Sequence, residues 1–82
     1  MAQKNQSAID LRTRLGLAIK RERSVLGISQ GELAHLSGLH RTYVSDLERG
    51  ARNPSIESIE KLARALRVSV VKLFQAAGNG KD

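Results

Sequence analysis

The sequence contains no cysteine and no tryptophan, and only one tyrosine, one phenylalanine and one proline. Without cysteine the chain can form neither a disulfide framework nor a thiolate zinc site, which is usual for proteins of a reducing cytoplasm. With so few aromatic residues, the core must consist of Leu, Ile, Val and Ala, which favours packed helices over a β-sandwich. We therefore expect an all-α fold.

Long apolar runs are also missing. No stretch approaches the roughly 18 apolar residues of a membrane span, and the N-terminal segment MAQKNQSAID lacks the apolar run of a signal peptide. The 82 residues suffice for one domain, spanning residues 1–82. We expect a single-domain cytoplasmic protein with no membrane partner.

The chain has no grouping of residues typical of catalysis. It lacks a glycine-rich phosphate loop, a supported Ser-His-Asp set and paired carboxylates in a plausible pocket. His35 and His40 lie five residues apart without nearby cysteine or carboxylate clusters, so no metal site is expected. The sequence predicts a protein that is not an enzyme and needs neither a cofactor nor a small-molecule ligand.

Charge of one sign dominates. Fourteen Lys and Arg residues stand against eight Asp and Glu residues, giving a formal net charge of +6. Such a bias in a small chain favours a polyanionic partner, with nucleic acid first among them. The alternative, a solvated surface charge that only keeps the protein soluble, stays open at this point.

Apolar spacing and capping residues predict five helices. A capping-box pattern of Ser7 and Asp10 starts the first, while Ser29, Ser55 and Ser69 are N-caps of later helices. The predicted ranges are 7–26, 30–37, 41–49, 56–66 and 70–77, with disordered tails at 1–6 and 79–82. The predicted inward positions are Leu11, Leu15, Ala18, Ile19, Glu22, Leu26, Leu33, Ala34, Val44, Leu47, Ile56, Ile59, Leu62, Ala63, Leu66, Val68 and Leu73, with Leu36 as a further candidate.

The stretch Gln30 to Arg49 reads as two short helices joined by a glycine turn. Gly38 can take the positive φ that the turn requires, and the small Ala34 allows the two helices to approach closely. Val44 and Leu47 point inward, which leaves a polar face with Arg, Thr, Ser and Asp side chains outside. This arrangement fits a helix-turn-helix whose second helix enters the DNA major groove.

The segments RSVLGISQGELA, LSGLHRTYVSDLERG and NPSIESIEKLARALRVSVVKLF resemble the Cro-type phage-repressor family of helix-turn-helix proteins, also called the xenobiotic-response-element family. The resemblance covers nearly the whole chain, from about Leu11 to Phe74. The segment HRTYVSDLERGARNPS is also similar to the controller proteins that time the expression of restriction-modification systems. The resemblance implies a five-helix, lambda-repressor-like DNA-binding domain. It also implies a sequence-specific transcription regulator, which acts as a repressor or an activator. Such a regulator would be bacterial or phage-encoded and associated with the nucleoid.

The resemblance also implies roles for individual residues. Asp46 could accept from a cytosine amino group, or orient Arg41 or Arg49, and the orienting role is favoured because a carboxylate repels phosphate. Arg23 and Glu48 correspond to a partly buried ion pair that ties the first helix to the third. The positions implied to read bases are Arg41, Thr42, Ser45 and Asp46. The positions implied to lie at the DNA backbone are Gln30, Tyr43, Arg49, Arg52 and Asn53.

The family acts as symmetric dimers on roughly palindromic operators. Val68 and Leu73 suffice to seal the fifth helix onto the core, so we expect Val70, Val71 and Phe74 to form a homodimer interface; the alternative is that these three complete the core. Other functions remain open, namely an antitoxin of a toxin-antitoxin pair and a small prophage Cro-like repressor. An RNA-binding or protein-interaction module is disfavoured, because the exposed face lacks aromatics that would stack unpaired bases.

Overall fold

The computed structural model describes the backbone of residues 2–78 and the side chains of residues 11–78. This part of the chain holds five helices and no strand, so the predicted all-α class is confirmed. None of these helices combines the length and the apolar character needed to cross a bilayer. The helices are α1 (Ala2–Leu26), α2 (Gln30–Ser37), α3 (Arg41–Glu48), α4 (Ile56–Leu66) and α5 (Val70–Gly78).

The starts of α2, α4 and α5 follow from serine caps, whereas His40, the N-cap of α3, makes no capping hydrogen bond through its side chain. The Oγ atoms of Ser29, Ser55 and Ser69 accept hydrogen bonds from backbone N–H groups three residues on, at 3.0, 3.0 and 2.9 Å. Each cap satisfies a donor that the first helical turn would otherwise leave unpaired. One predicted start was wrong: α1 begins at Ala2 and runs through Ser7, so residues 2–6 are helical rather than a disordered tail. Met1 and the tail predicted at 79–82 lie outside the described residues.

The core is a single cluster of aliphatic side chains drawn from all five helices. Leu33, Leu62 and Leu73 have no exposed surface, and Val68 packs against the cluster at half burial. Four predicted inward positions are wrong, since Leu11, Leu26, Leu36 and Ile56 are 43%, 38%, 60% and 73% exposed. Each lies where the neighbouring helices leave part of the side chain uncovered.

Gly16 lets α1 lie directly against the end of α3. A Cβ atom at this position would stand 2.8 Å from the carbonyl oxygen of Glu48, and closer still to that of Leu47. Real Cβ atoms do not approach carbonyl oxygens so closely, so only glycine fits without moving one of the two helices. The close approach seats α3 on the body of the domain.

Candidate nucleic-acid interface

The turn between α2 and α3 has the geometry predicted for it. Gly38 adopts φ 74° and ψ 21°, the left-handed region that glycine enters at little cost. Leu39 N–H donates to the Ala34 carbonyl at 2.9 Å, which closes the C-terminus of α2. The buried Ser37 hydroxyl donates to the Leu33 carbonyl at 2.7 Å. The connection between α2 and α3 is thereby limited to three residues, 38–40, and α3 starts at Arg41.

Two buried aliphatic residues set the rotation of α3. Val44 is fully buried and Leu47 is 2% exposed, as their spacing of three predicted. Side chains three apart lie on one face of a helix, so the opposite face of α3 must point away from the core. Arg41 and Thr42 are exposed on that opposite side, and Ser45 and Asp46 are partly exposed.

Glu48 joins three elements of the fold. Its carboxylate accepts from Arg23 Nε at 2.7 Å and Arg23 Nη2 at 3.0 Å, and its Oε1 also accepts from Gln30 Nε2 at 2.9 Å. Arg23 further donates to the carbonyl of Ile28 at 2.9 Å. The side chains of Arg23 and Glu48 are only 14% and 3% exposed. The structure therefore contains the predicted ion pair, and it ties α1 and the start of α2 to the end of α3.

The ion pair with Glu48 favours the charged form of Arg23. The hydrogen bonds to Glu48 raise the pKa of Arg23 above its ordinary value, although burial acts in the opposite direction. A cation whose pKa is raised on folding contributes stability that is complete below its unfolded pKa and is lost only as pH rises through the folded one. The contribution of the Arg23 charge is therefore complete throughout the neutral range.

The predicted base-reading residues meet at one surface. A shallow open depression runs along the exposed face of α3 and the start of α2. Among the described residues, the Arg41 guanidinium has no hydrogen-bonding partner, and its aliphatic stem lies over Gly31, a position without a side chain. The residues lining the depression are Gln30, Arg41, Thr42, Ser45, Asp46 and Arg49.

Asp46 holds two arginines at the rim of this depression. Its Oδ1 accepts from Arg49 Nη2 at 2.5 Å, and its Oδ2 accepts from Arg52 Nη2 at 3.1 Å. Of the two orienting contacts that the sequence suggested for Asp46, the one with Arg49 is present in the structure. The other is not, because within the described residues Asp46 pairs with Arg52 and not with Arg41.

Tyr43 anchors the second of these arginines. The Arg52 guanidinium carbon lies 4.9 Å from the centre of the Tyr43 ring, within the range of a cation–π interaction. The Tyr43 hydroxyl donates to Ser58 Oγ at 3.1 Å. Ser58 is buried in the first turn of α4 and its Oγ also accepts from the Ser55 hydroxyl at 3.0 Å. A continuous series of contacts therefore runs from α4 through Tyr43 and Arg52 to Asp46.

Sequence reasoning missed several residues that position this surface. Gly16 and Ser58 were not singled out, and the bond from Gln30 to Glu48 was not expected. A glycine inside a strongly helical segment was an available signal, since it costs about 1 kcal/mol relative to alanine and so suggests a packing reason. Asn53 is not brought to the depression and instead lines an apolar groove elsewhere.

That groove lies between α1, α4 and α5. Its apolar lining includes Leu11, Ile56 and Phe74, which are 43%, 73% and 38% exposed. Val71, one turn before Phe74 on α5, is 64% exposed. Of the three residues expected at a dimer interface, only Val70 packs against the core at half burial.

Comparison with known proteins places this geometry among DNA-binding regulators. A family described as helix-turn-helix matches residues 19–73. The chain is 39% identical over 70 residues to the control protein C.SmaI of Serratia marcescens, covering 85% of this chain and 83% of the relative. It is 50% identical over 54 residues to the control protein C.BamHI of Bacillus amyloliquefaciens, covering 63% and 67%. The crystal structure of the restriction-modification controller protein C.AhdI from Aeromonas hydrophila superposes with a TM-score of 0.75 at 45% identity, covering 78% of this chain and 96% of that one.

Proposed function

This chain belongs to the Cro/C1-type helix-turn-helix family of DNA-binding transcriptional regulators, which are not enzymes, and we propose that it acts as a symmetric dimer on a roughly palindromic operator. The observation that carries the proposal is the exposed face of α3. Arg41 and Thr42 stand there on a helix that Val44, Leu47 and the Glu48 ion pair hold in one orientation. A helix locked in this way can present the same side chains to a major groove each time.

Arg41 and Thr42 are the proposed base-reading residues. Arginine pairs with the O6 and N7 atoms of guanine, and the threonine methyl contacts that of thymine. Ser45 lies further along the same face, within reach of the next base pairs. Asp46 has both carboxylate oxygens engaged by Arg49 and Arg52, which supports an orienting role over direct acceptance from cytosine.

The proposed backbone contacts surround these residues. Gln30 starts α2, where the helix dipole favours a phosphate, and its side-chain amide has a second N–H besides the one donated to Glu48. Arg49 and Arg52 are 62% and 48% exposed, so their remaining donors are accessible. Tyr43 reaches the same edge, and Asn53 remains a predicted contact on the loop that follows.

The dimer is proposed from the apolar surface of α5 and the groove beside it. Val71, Phe74 and Ile56 together expose more apolar area than isolated surface residues usually do. A two-fold pairing through this surface would place two α3 helices on half-sites about one DNA turn, roughly 34 Å, apart. No cofactor or small molecule is needed for such binding, and the place of action would be bacterial or phage DNA in the cytoplasm.

The relatives named control proteins support a narrower proposal, that the chain is an autoregulatory controller of a restriction-modification system. The test is selection of bound duplexes from a random pool, followed by a search for the recovered site near the gene of this protein. We expect a roughly palindromic site upstream of that gene and of a neighbouring endonuclease gene. Recovery of no preferred sequence would contradict the proposed function.

The same experiment separates the alternatives. A site upstream of a toxin gene, with the toxin copurifying, would favour an antitoxin, and a site within a prophage control region would favour a Cro-like repressor.

Salt dependence gives an independent check on DNA binding. If each subunit makes about four phosphate contacts, the logarithm of the affinity should fall with the logarithm of salt at a slope near −7.

A further inference from the structure

Asp46 is an acidic residue in a surface that we propose to lie against DNA, where a negative charge opposes binding. Its side chain is 21% exposed, and each of its two oxygens is bound by a different arginine. The group formed by Asp46, Arg49 and Arg52 therefore carries one net positive charge instead of two. A neutral residue of similar size in place of Asp46 would leave a stronger attraction for phosphate at this rim. A contribution to general DNA affinity therefore cannot be the role of the Asp46 carboxylate.

The two arginines are restrained to different degrees. Arg52 is held by Asp46 on one side and by the Tyr43 ring on the other, and Tyr43 is tied to Ser58. The guanidinium of Arg49, among the described residues, is held by Asp46. Each guanidinium has five N–H donors, so a bond to Asp46 leaves others for a phosphate. While both bonds to Asp46 are made, these donors lie at the positions that Asp46 sets.

We propose that Asp46 is a specificity-determining residue, which holds Arg49 and Arg52 back from phosphates unless α3 is seated in the correct register. On the operator, base contacts by Arg41 and Thr42 fix the register, and the restrained arginines reach phosphates without leaving Asp46. On random DNA no register is favoured, so the arginines cannot follow the backbone freely and the carboxylate repels it. The inference rests on the proposed function, because it requires this face to lie on DNA.

The test compares Asp46→Asn with Glu60→Gln, which makes the same change in net charge on the exposed surface of α4. The probes are the operator duplex recovered by selection and a random-sequence duplex of equal length and base composition. For Asp46→Asn we expect affinity for the random duplex to rise on the order of tenfold, with operator affinity changed less than about threefold. For Glu60→Gln we expect any change to be equal on both duplexes, which preserves their ratio.

The salt dependence of binding distinguishes release of Arg49 and Arg52 from Asp46 from a change in the structure of the domain. With Asp46→Asn, the slope on the random duplex should steepen by about two, one new phosphate contact for each subunit. Asp46→Ser, which removes the charge with a smaller side chain, should behave alike, and thermal unfolding should show that both variants fold.

Two results would overturn the inference. One is an unchanged ratio of operator to random affinity in both Asp46 variants. The other is a loss of operator affinity with random binding unaltered, which would make Asp46 a direct contact. Failure of the proposed function looks different, since the unaltered protein would then bind both duplexes equally.

Discussion

At the residue scale, Glu48 is the acidic side chain on which the orientation of α3 depends most directly. Among the described residues, Glu48→Ala would leave the largely buried Arg23 with only the carbonyl of Ile28 as a partner, and would remove the partner of the Gln30 side chain. Removing one partner of a buried pair strands the other charge, so we expect a loss of about 3 kcal/mol in the free energy of unfolding. Urea unfolding followed by circular dichroism measures this loss.

An exposed pair on α4 provides the control. Glu57 lies 3.6 Å from Lys61 and is 77% exposed, so Glu57→Ala should cost less than about 1 kcal/mol. Equal losses for the two variants would mean that Glu48 contributes no more than a surface charge.

Arg41 is the residue on which base recognition is proposed to rest. Arg41→Ala should reduce operator affinity by about 1–3 kcal/mol, while leaving random DNA nearly unaffected. Stability should hardly change, since Arg41 is exposed and has no hydrogen-bonding partner among the described residues. Equilibrium binding to both duplexes measures the difference.

Arg64→Ala is the matched control, because Arg64 is an exposed arginine on α4, away from the depression. It should alter operator and random affinity little and equally. If Arg41→Ala lowered the operator and random affinities by the same factor, Arg41 would be a phosphate contact, and the proposal that it reads bases would be wrong.

At the scale of the elements, periodicity and capping predicted four of the helices to within a residue or so at each end. At several boundaries a serine cap or a positive-φ glycine marks the helix end through local chemistry, whereas His40 precedes α3 without a side-chain cap and α4 is followed by Arg67, a non-glycine residue with φ 64°. The same patterns failed for the burial of Ile56 and Leu36, since an apolar residue on the inward stripe is buried only where another helix covers it. Which helix covers which stripe is a property of tertiary packing.

The candidate site divides in the same way. The ion pair of Arg23 and Glu48 was predicted through family resemblance, and the exposed face of α3 was predicted from the spacing of Val44 and Leu47; the structure contains both. The pairing of Asp46 with Arg52 and the contact of Tyr43 with Ser58 were not predicted. Both join α3 to residues beyond its end, and nothing in the spacing of the sequence specifies how the connecting loop folds back.

Gly16 gives an element-scale prediction about how α1 and α3 meet. Gly16→Ala would drive a methyl group into the carbonyl oxygens at the end of α3, and relief requires one helix to shift. Overpacking of this kind costs about 1–3 kcal/mol, although alanine gains up to about 1 kcal/mol in helix propensity. We expect net destabilisation in thermal unfolding, together with weaker operator binding as α3 moves.

Gly31→Ala is the control for the same substitution. An added Cβ there would meet only ordinary van der Waals neighbours at 3.8 Å, so the variant should be as stable as the unaltered protein or more so. If Gly16→Ala were equally well tolerated, the close approach of α1 to α3 would not constrain the fold.

At the scale of the whole molecule, the described residues present two different surfaces, and both are proposed to be functional. The face formed by α2 and α3 is polar and basic, while the groove between α1, α4 and α5 is apolar. The helices that carry the two faces share one core, so a dimer formed through the apolar face would hold two copies of α3 at a set distance. Affinity for the operator would then depend on residues that never touch DNA.

Val71→Glu tests this dependence. Val71 is 64% exposed, so a charge there should leave the fold intact while opposing burial of the α5 surface in a dimer. We expect the unaltered 9.0 kDa chain to sediment as a dimer at tens of micromolar and the variant as a monomer. The salt slope on the operator should fall from near −7 to about half that value, because one subunit contributes half the phosphate contacts.

Leu36→Glu introduces the same charge at a leucine that is 60% exposed on α2, outside the groove, and should remain dimeric. A monomeric unaltered chain, or a dimer unaffected by Val71→Glu, would rule out this surface as the interface.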